Sequence, residues 1–194
     1  MSPYRRAKWA RMSGALGSGV LVGLALPPWG WWPLAILGLA IFFSIVQITT
    51  DSREQFTLGA SLGVGWLALG MGWMWFLTAP GYVIATLLFA SFHGLAALVA
   101  FKLGSPLLSR PIAHSLAEVL RFTIPFGGVP LATLPIAISP TRLADIVALG
   151  GPVLTTWFVL QLAALVSIVF PPWITRTGDS RRTFGMIAIT LLIL

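Results

Sequence analysis

The chain has 194 residues and no cysteine. That absence excludes disulfides, thiolate metal ligands and a cysteine nucleophile within these residues. Charge is scarce as well. Only 9% of residues are Asp, Glu, Lys or Arg, against about 25% in soluble globular domains. The acids number five: Asp51, Glu54, Glu118, Asp145 and Asp179. They are scattered, so no paired carboxylates are in place for acid–base work. The two histidines, His93 and His114, lie in different apolar segments, and neither reads as part of a metal-ligand cluster. No glycine-rich phosphate loop follows a strand, and no nucleophile–base pattern occurs. The residues alone therefore predict no catalytic residue, no metal and no cofactor.

What fills the chain instead is apolar. Hydrophobic residues make up 57%, and the mean hydropathy is +0.93. A chain this apolar cannot hide its hydrophobic surface inside a ball of this size, which points to an integral membrane protein. Six apolar segments stand out, at about 13–26, 31–48, 56–77, 82–101, 112–125 and 145–170. A seventh begins at 183 and reaches the end at 194. Breakers separate them, among them Pro27-Pro28, Pro80-Gly81, Gly127-Gly128 and Pro171-Pro172. The runs are too long and continuous for the alternating strands of a membrane barrel. The predicted fold is all-α, a polytopic helical membrane bundle with six complete transmembrane helices plus the start of a seventh, in a single membrane domain over 1–194. Residues 183–194 number 12, short of the roughly 20 needed to cross the hydrocarbon. They read as an unfinished helix and the chain as the front of a longer protein.

The net charge is +7, but the cations lie in short groups between apolar runs. That is the layout of loops at an anionic membrane face rather than of a nucleic-acid surface. With the N-terminus inside, the inner positions take ten of the twelve cations: Arg5, Arg6, Lys8, Arg11, Arg53, Lys102, Arg110, Arg176, Arg181 and Arg182. The bias predicts a multi-pass membrane protein with a cytoplasmic N-terminus. No small-x-small cleavage site precedes Pro27, so the first helix reads as retained rather than as a signal peptide. Trp29, Trp31, Trp32, Trp73 and Trp75 fit an aromatic belt at the outer interface. Small residues four apart, Ala15, Gly19 and Gly23, then Gly59 and Gly63, predict close helix packing within the bundle.

The candidate site is polar. Glu118 and Arg121 are three apart on one helical face, so they can pair and reduce the cost of two charges in an apolar segment. His93 lies within its segment and His114 near the opposite, inner end of the next, so each reads as a packing histidine without a metal partner. Gln161 reads as a hydrogen bond to a neighbouring helix.

Two stretches go further. Residues 24–39 read LALPPWGWWPLAILGL, and residues 117–152 read AEVLRFTIPFGGVPLATLPIAISPTRLADIVALGGP. Together they resemble the membrane half of the apolipoprotein N-acyltransferase family: a first hairpin with its Pro-aromatic-Gly-aromatic turn, then an E-x-x-R helix, a P-F-G-G loop and a helix opening on a Gly pair. The chain departs from the family loop at Val129, Leu131, Ala137 and Ile138. The resemblance implies transfer of an acyl chain from a phospholipid donor to the N-terminal amine of a diacylglyceryl-cysteine lipoprotein, by a Glu-Lys-Cys triad in an extracytoplasmic nitrilase-like domain. None of that triad maps onto this chain, so the fragment alone is expected to be inactive, with a missing C-terminal catalytic half as its partner. The resemblance makes Glu118, Arg121, Gly127, Gly128 and Pro130 the candidate substrate-binding residues. A non-catalytic polytopic scaffold is the alternative. Few intramembrane charges and no visible inverted repeat speak against a transporter.

Overall fold

Proline stands in the first turn of four helices among the described residues, where its missing N–H is harmless. In the computed structural model, residues 2–125, 127, 128 and 130–169 are described, and they form seven α-helices with no strand among them. Helix α1 spans Pro3–Leu24, with the Ser2 hydroxyl accepting from Arg5 N–H. Helix α2 spans Pro33–Val46, and α3 spans Ser52–Gly70 behind an Asp51 cap that accepts from Arg53 N–H. A 3-10 turn, Gly72–Phe76, leads to α4 over Ala79–Leu103, capped by Thr78 and closed by Gly104 in the left-handed region at φ 77°. Helix α5 covers Ser109–Arg121, α6 is the short Leu134–Ile138, and α7 covers Asp145–Val169. Helix α7 breaks at Gly150 and Gly151, whose φ of +69° suits glycine, so the helix restarts at Pro152, where a missing N–H does no harm.

The expectation of six complete transmembrane helices plus the start of a seventh does not hold. Among the described residues, two helices are long and apolar enough to cross a membrane, Ala79–Leu103 and Arg142–Ile168. The reasons are physical. Helices α2 and α5 have 14 and 13 residues, roughly 20 Å at 1.5 Å per residue, against about 30 Å of hydrocarbon. Helix α1 begins ten residues before the apolar run and takes in Arg5, Arg6, Lys8 and Arg11. Helix α3 opens on Arg53, Glu54 and Gln55. The seventh segment, 183–194, lies outside the described residues.

Helix α3 is the centre. It packs between α1 and α4, while α2 lies on α1, α5 on α4, and α7 on α2 and α5. The approach is backbone to backbone. A Cβ on Gly19 would strike the Leu62 carbonyl, one on Gly65 the Leu16 carbonyl, and one on Gly63 would stand 2.6 Å from Ala90 Cα. Small residues thus let α1, α3 and α4 touch without side chains between them. Around this contact the core is filled by Phe42, Phe43, Leu58, Leu62, Trp66, Phe89, Leu134 and Ile138, all under 2% exposed.

The outside is apolar too. Helix α5 turns Ser109, His114, Ser115, Glu118 and Arg121 inward, and exposes Leu108 at its start with Ile112, Leu116 and Leu120 along its length. On α4, Ile84, Leu87, Leu95, Val99 and Leu103 face out. Water-facing helices have the reverse pattern.

The glycine contact is open to test. Gly63→Leu should lower stability by about 1–3 kcal/mol, the range for overpacked cores. Gly17→Ala, where a Cβ meets nothing within 4 Å, should be neutral or stabilising by up to about 1 kcal/mol. Thermal unfolding of the detergent-solubilised chain distinguishes the two; equal melting temperatures would rule out the close-contact account.

Candidate functional site

Helices α4 and α5 form an antiparallel hairpin, and its register assembles the site. The Ser109 hydroxyl donates to the Ala100 carbonyl at 3.0 Å, which sets these two positions level. Seven residues back along α4 is His93. Seven forward along α5 is residue 116, flanked on the inner face by His114 and Glu118. The rings of His93 and His114 stack with centroids 5.5 Å apart and their Nδ1 atoms 3.2 Å apart. Since each neutral ring carries one N–H, one of the two Nδ1 atoms donates and the other accepts.

The chain of contacts continues through Glu118. His93 Nε2 stands 3.3 Å from Glu118 Oε1, though not aligned as a hydrogen bond, since His93 Nε2 has no such partner among the described residues. Arg121 Nη1 donates to the same oxygen at 2.5 Å, and Arg121 Nη2 donates to the Leu131 carbonyl at 2.5 Å. The guanidinium carbon also lies 5.9 Å from the Trp66 ring centre and 5.4 Å from that of Phe89, within reach of a cation–π attraction. Trp66 in turn packs on His93 at 5.0 Å. Glu118 is 1% exposed and Arg121 0%. Two charges this deep persist only because each faces the other.

The remaining sequence candidates lie in the connection after α5. Gly127 and Pro130 are exposed and Gly128 half-buried. The glycines sit at φ 88° and 99°, and a Cβ on Gly128 would collide with the Phe122 carbonyl. Gly128 N–H donates to the Pro125 carbonyl at 2.9 Å. Arg121 is the link between the groups: through Leu131 it ties the far end of this connection to the buried cluster. Ala132, next in line, is held at φ 55°, strain that a well-anchored neighbour sustains.

Sequence reasoning placed His93 and His114 at different levels and so missed their contact. The Ser109–Ala100 hydrogen bond starts α5 level with Ala100 and so brings the two rings together. Glu54, one of the scattered acids between apolar segments, has a structural role that the sequence did not show. Glu54 is 2% exposed, taking Arg11 Nε at 2.7 Å and the Thr49 hydroxyl at 2.8 Å, and Gln55 donates to the Val46 and Thr49 carbonyls. This second polar knot holds the α2–α3 turn. Among the described residues no group of three His, Asp or Glu side chains is placed to hold a metal ion.

The described residues form an all-helical bundle with apolar outer faces on α4 and α5 and with Glu54, Glu118 and Arg121 buried inside it. Comparison with known proteins makes this class specific. The family model of the apolipoprotein N-acyltransferase N-terminal domain matches residues 18–165, and the chain belongs to that family. It is 30% identical over 189 residues to the apolipoprotein N-acyltransferase of Azotobacter vinelandii, covering 88% of this chain and 36% of the relative. To that of Vibrio parahaemolyticus it is 29% identical over 168 residues, covering 77% and 32%. To that of Pseudomonas paraeruginosa it is 29% identical over 185 residues, covering 86% and 35%. The chain thus spans about a third of the length of these relatives.

The buried pair yields a prediction. Glu118→Leu leaves Arg121 without its carboxylate and should destabilise by about 3–5 kcal/mol, whereas Glu118→Leu with Arg121→Met should recover most of that loss. Thermal melting of both variants measures the coupling. Additive losses would show that the two side chains do not depend on one another.

Proposed function

We propose that this chain is the membrane portion of an apolipoprotein N-acyltransferase, the base that holds lipid while an acyl chain passes from a phospholipid to the N-terminal amine of a diacylglyceryl-cysteine lipoprotein. The observation that carries the reading is the inverted face of α5, with leucine and isoleucine outward and Glu118 and Arg121 inward. In water that arrangement would expose what should be buried; in lipid it is the favourable one. Family membership supplies the reaction.

In this reading residues 1–194 work as one membrane unit in the bacterial inner membrane, with the basic N-terminal end on the cytoplasmic side. The Glu118–Arg121 pair positions the connection 122–131, and Gly127, Gly128 and Pro130 meet the lipid substrate there. Glycine suits that role, since backbone without side chains allows a ligand to come close. Transfer through a thioester intermediate needs an activated thiol. These residues hold none, so the nucleophile is proposed to come from a separate extracytoplasmic unit that acts with this one.

Two experiments bear on the reading. The chain alone, mixed with phospholipid and a diacylglyceryl lipopeptide, should give no N-acylated lipopeptide by mass spectrometry; a transferred chain would place the chemistry within these residues. The absence of cysteine also offers a clean background for labelling. In spheroplasts, Pro130→Cys should react with a membrane-impermeant maleimide, and Ser2→Cys should react only after lysis. The opposite pattern would reverse the proposed orientation.

A further inference from the structure

At the end of the bundle that carries the N-terminus, α2, α4 and the start of α5 enclose a cavity of about 370 Å³, within the range of small-molecule sites. Its walls are of two kinds. Gln47, Thr50 and Arg110 line it with polar groups, and Phe42, Val46 and Phe101 line it with apolar ones, while His114 also borders it. Arg110 is half-buried. Of its five N–H donors, one reaches the Phe43 carbonyl at 3.4 Å. Burial pulls the Arg110 guanidinium down to about 10, so it is still a cation at neutral pH. Lys102 and Arg53 lie at the same end, as does the cationic first half of α1.

We propose that this cavity binds an anionic amphiphile, its phosphate-bearing head group on Arg110 and the upper part of its hydrocarbon chain against Phe42, Val46 and Phe101. A fully polar ligand would leave the apolar walls unmatched, and a neutral one would leave a desolvated guanidinium facing it. A phosphate on Arg110 gains charge-assisted hydrogen bonds in a fork geometry that lysine cannot reproduce. The place is distinct from the connection 122–131. Arg110 opens α5 and Arg121 ends it, 11 residues apart and roughly 16 Å along the helix axis. The inference therefore concerns a second lipid site, independent of the acyl-transfer reading.

The test is lipid retention by the purified chain in a neutral detergent, read by native mass spectrometry and titration. The probes are dioleoyl phosphatidylglycerol, dioleoyl phosphatidylcholine and inorganic phosphate. One phosphatidylglycerol should bind at least tenfold more tightly than phosphatidylcholine. Arg110→Gln should weaken it about tenfold, and Arg110→Lys less. Ala100→Leu, which fills the cavity and leaves the charge, should weaken it also; thermal melting checks that each variant is folded. Phosphatidylglycerol binding unchanged in both Arg110→Gln and Ala100→Leu would overturn the proposal. So would equal affinity for phosphatidylcholine. Inorganic phosphate binding as tightly as the lipid would overturn the amphiphile assignment and leave a plain anion site.

Discussion

A guanidinium with no access to water sets the terms for this fold. Arg121 is 0% exposed, and an ion in that position is tolerable only when its partners come from every side. One turn back on α5 comes Glu118, from α3 the face of Trp66, from α4 the face of Phe89, and from the far end of the next connection the Leu131 carbonyl. Four separate parts of the chain thus converge on one side chain. Each is held where it is partly because the arginine is there, in keeping with the α4–α5 register that the Ser109–Ala100 hydrogen bond sets.

Much of this was readable in advance, and the limits are instructive. The Glu118–Arg121 pairing follows from three-residue spacing, which any helix converts into contact. The glycines of α1 and α3 announce close packing by their size alone. Membership in the acyltransferase family was legible in the two motifs at 24–39 and 117–152, and residues 18–165 match it. The number of spans was not legible. An apolar run does not fix the length of its helix: α1 starts in the cations and α5 stops after 13 residues. Composition reports how apolar a segment is; caps, breaks and breakers decide how much of it becomes a single rod.

The histidines show a different limit. His93 and His114 are 21 residues apart, and nothing in the intervening sequence states where α5 starts relative to α4. One hydrogen bond, Ser109 to Ala100, fixes that offset, and a shift of one turn would separate the rings by about 5 Å. Glu54 was missed for a related reason: a carboxylate next to Asp51 and Arg53 reads as a solvated boundary until α1 brings Arg11 against it. Long-range pairing of charges is a property of the assembled helices and has no local signature.

The backbone contacts through Gly19, Gly63 and Gly65 have a consequence for how this chain can change over time. Where two helices meet without side chains between them, no residue larger than the one present fits unless the helices part. The outward leucines of α4 and α5 meet no such wall, and one aliphatic residue serves there as well as another. Sequence drift is therefore lopsided: open along the outer faces of α4 and α5, nearly closed along both edges of α3. Divergent copies of this bundle can differ along the outer faces of α4 and α5 and still superimpose, provided those edges stay bare.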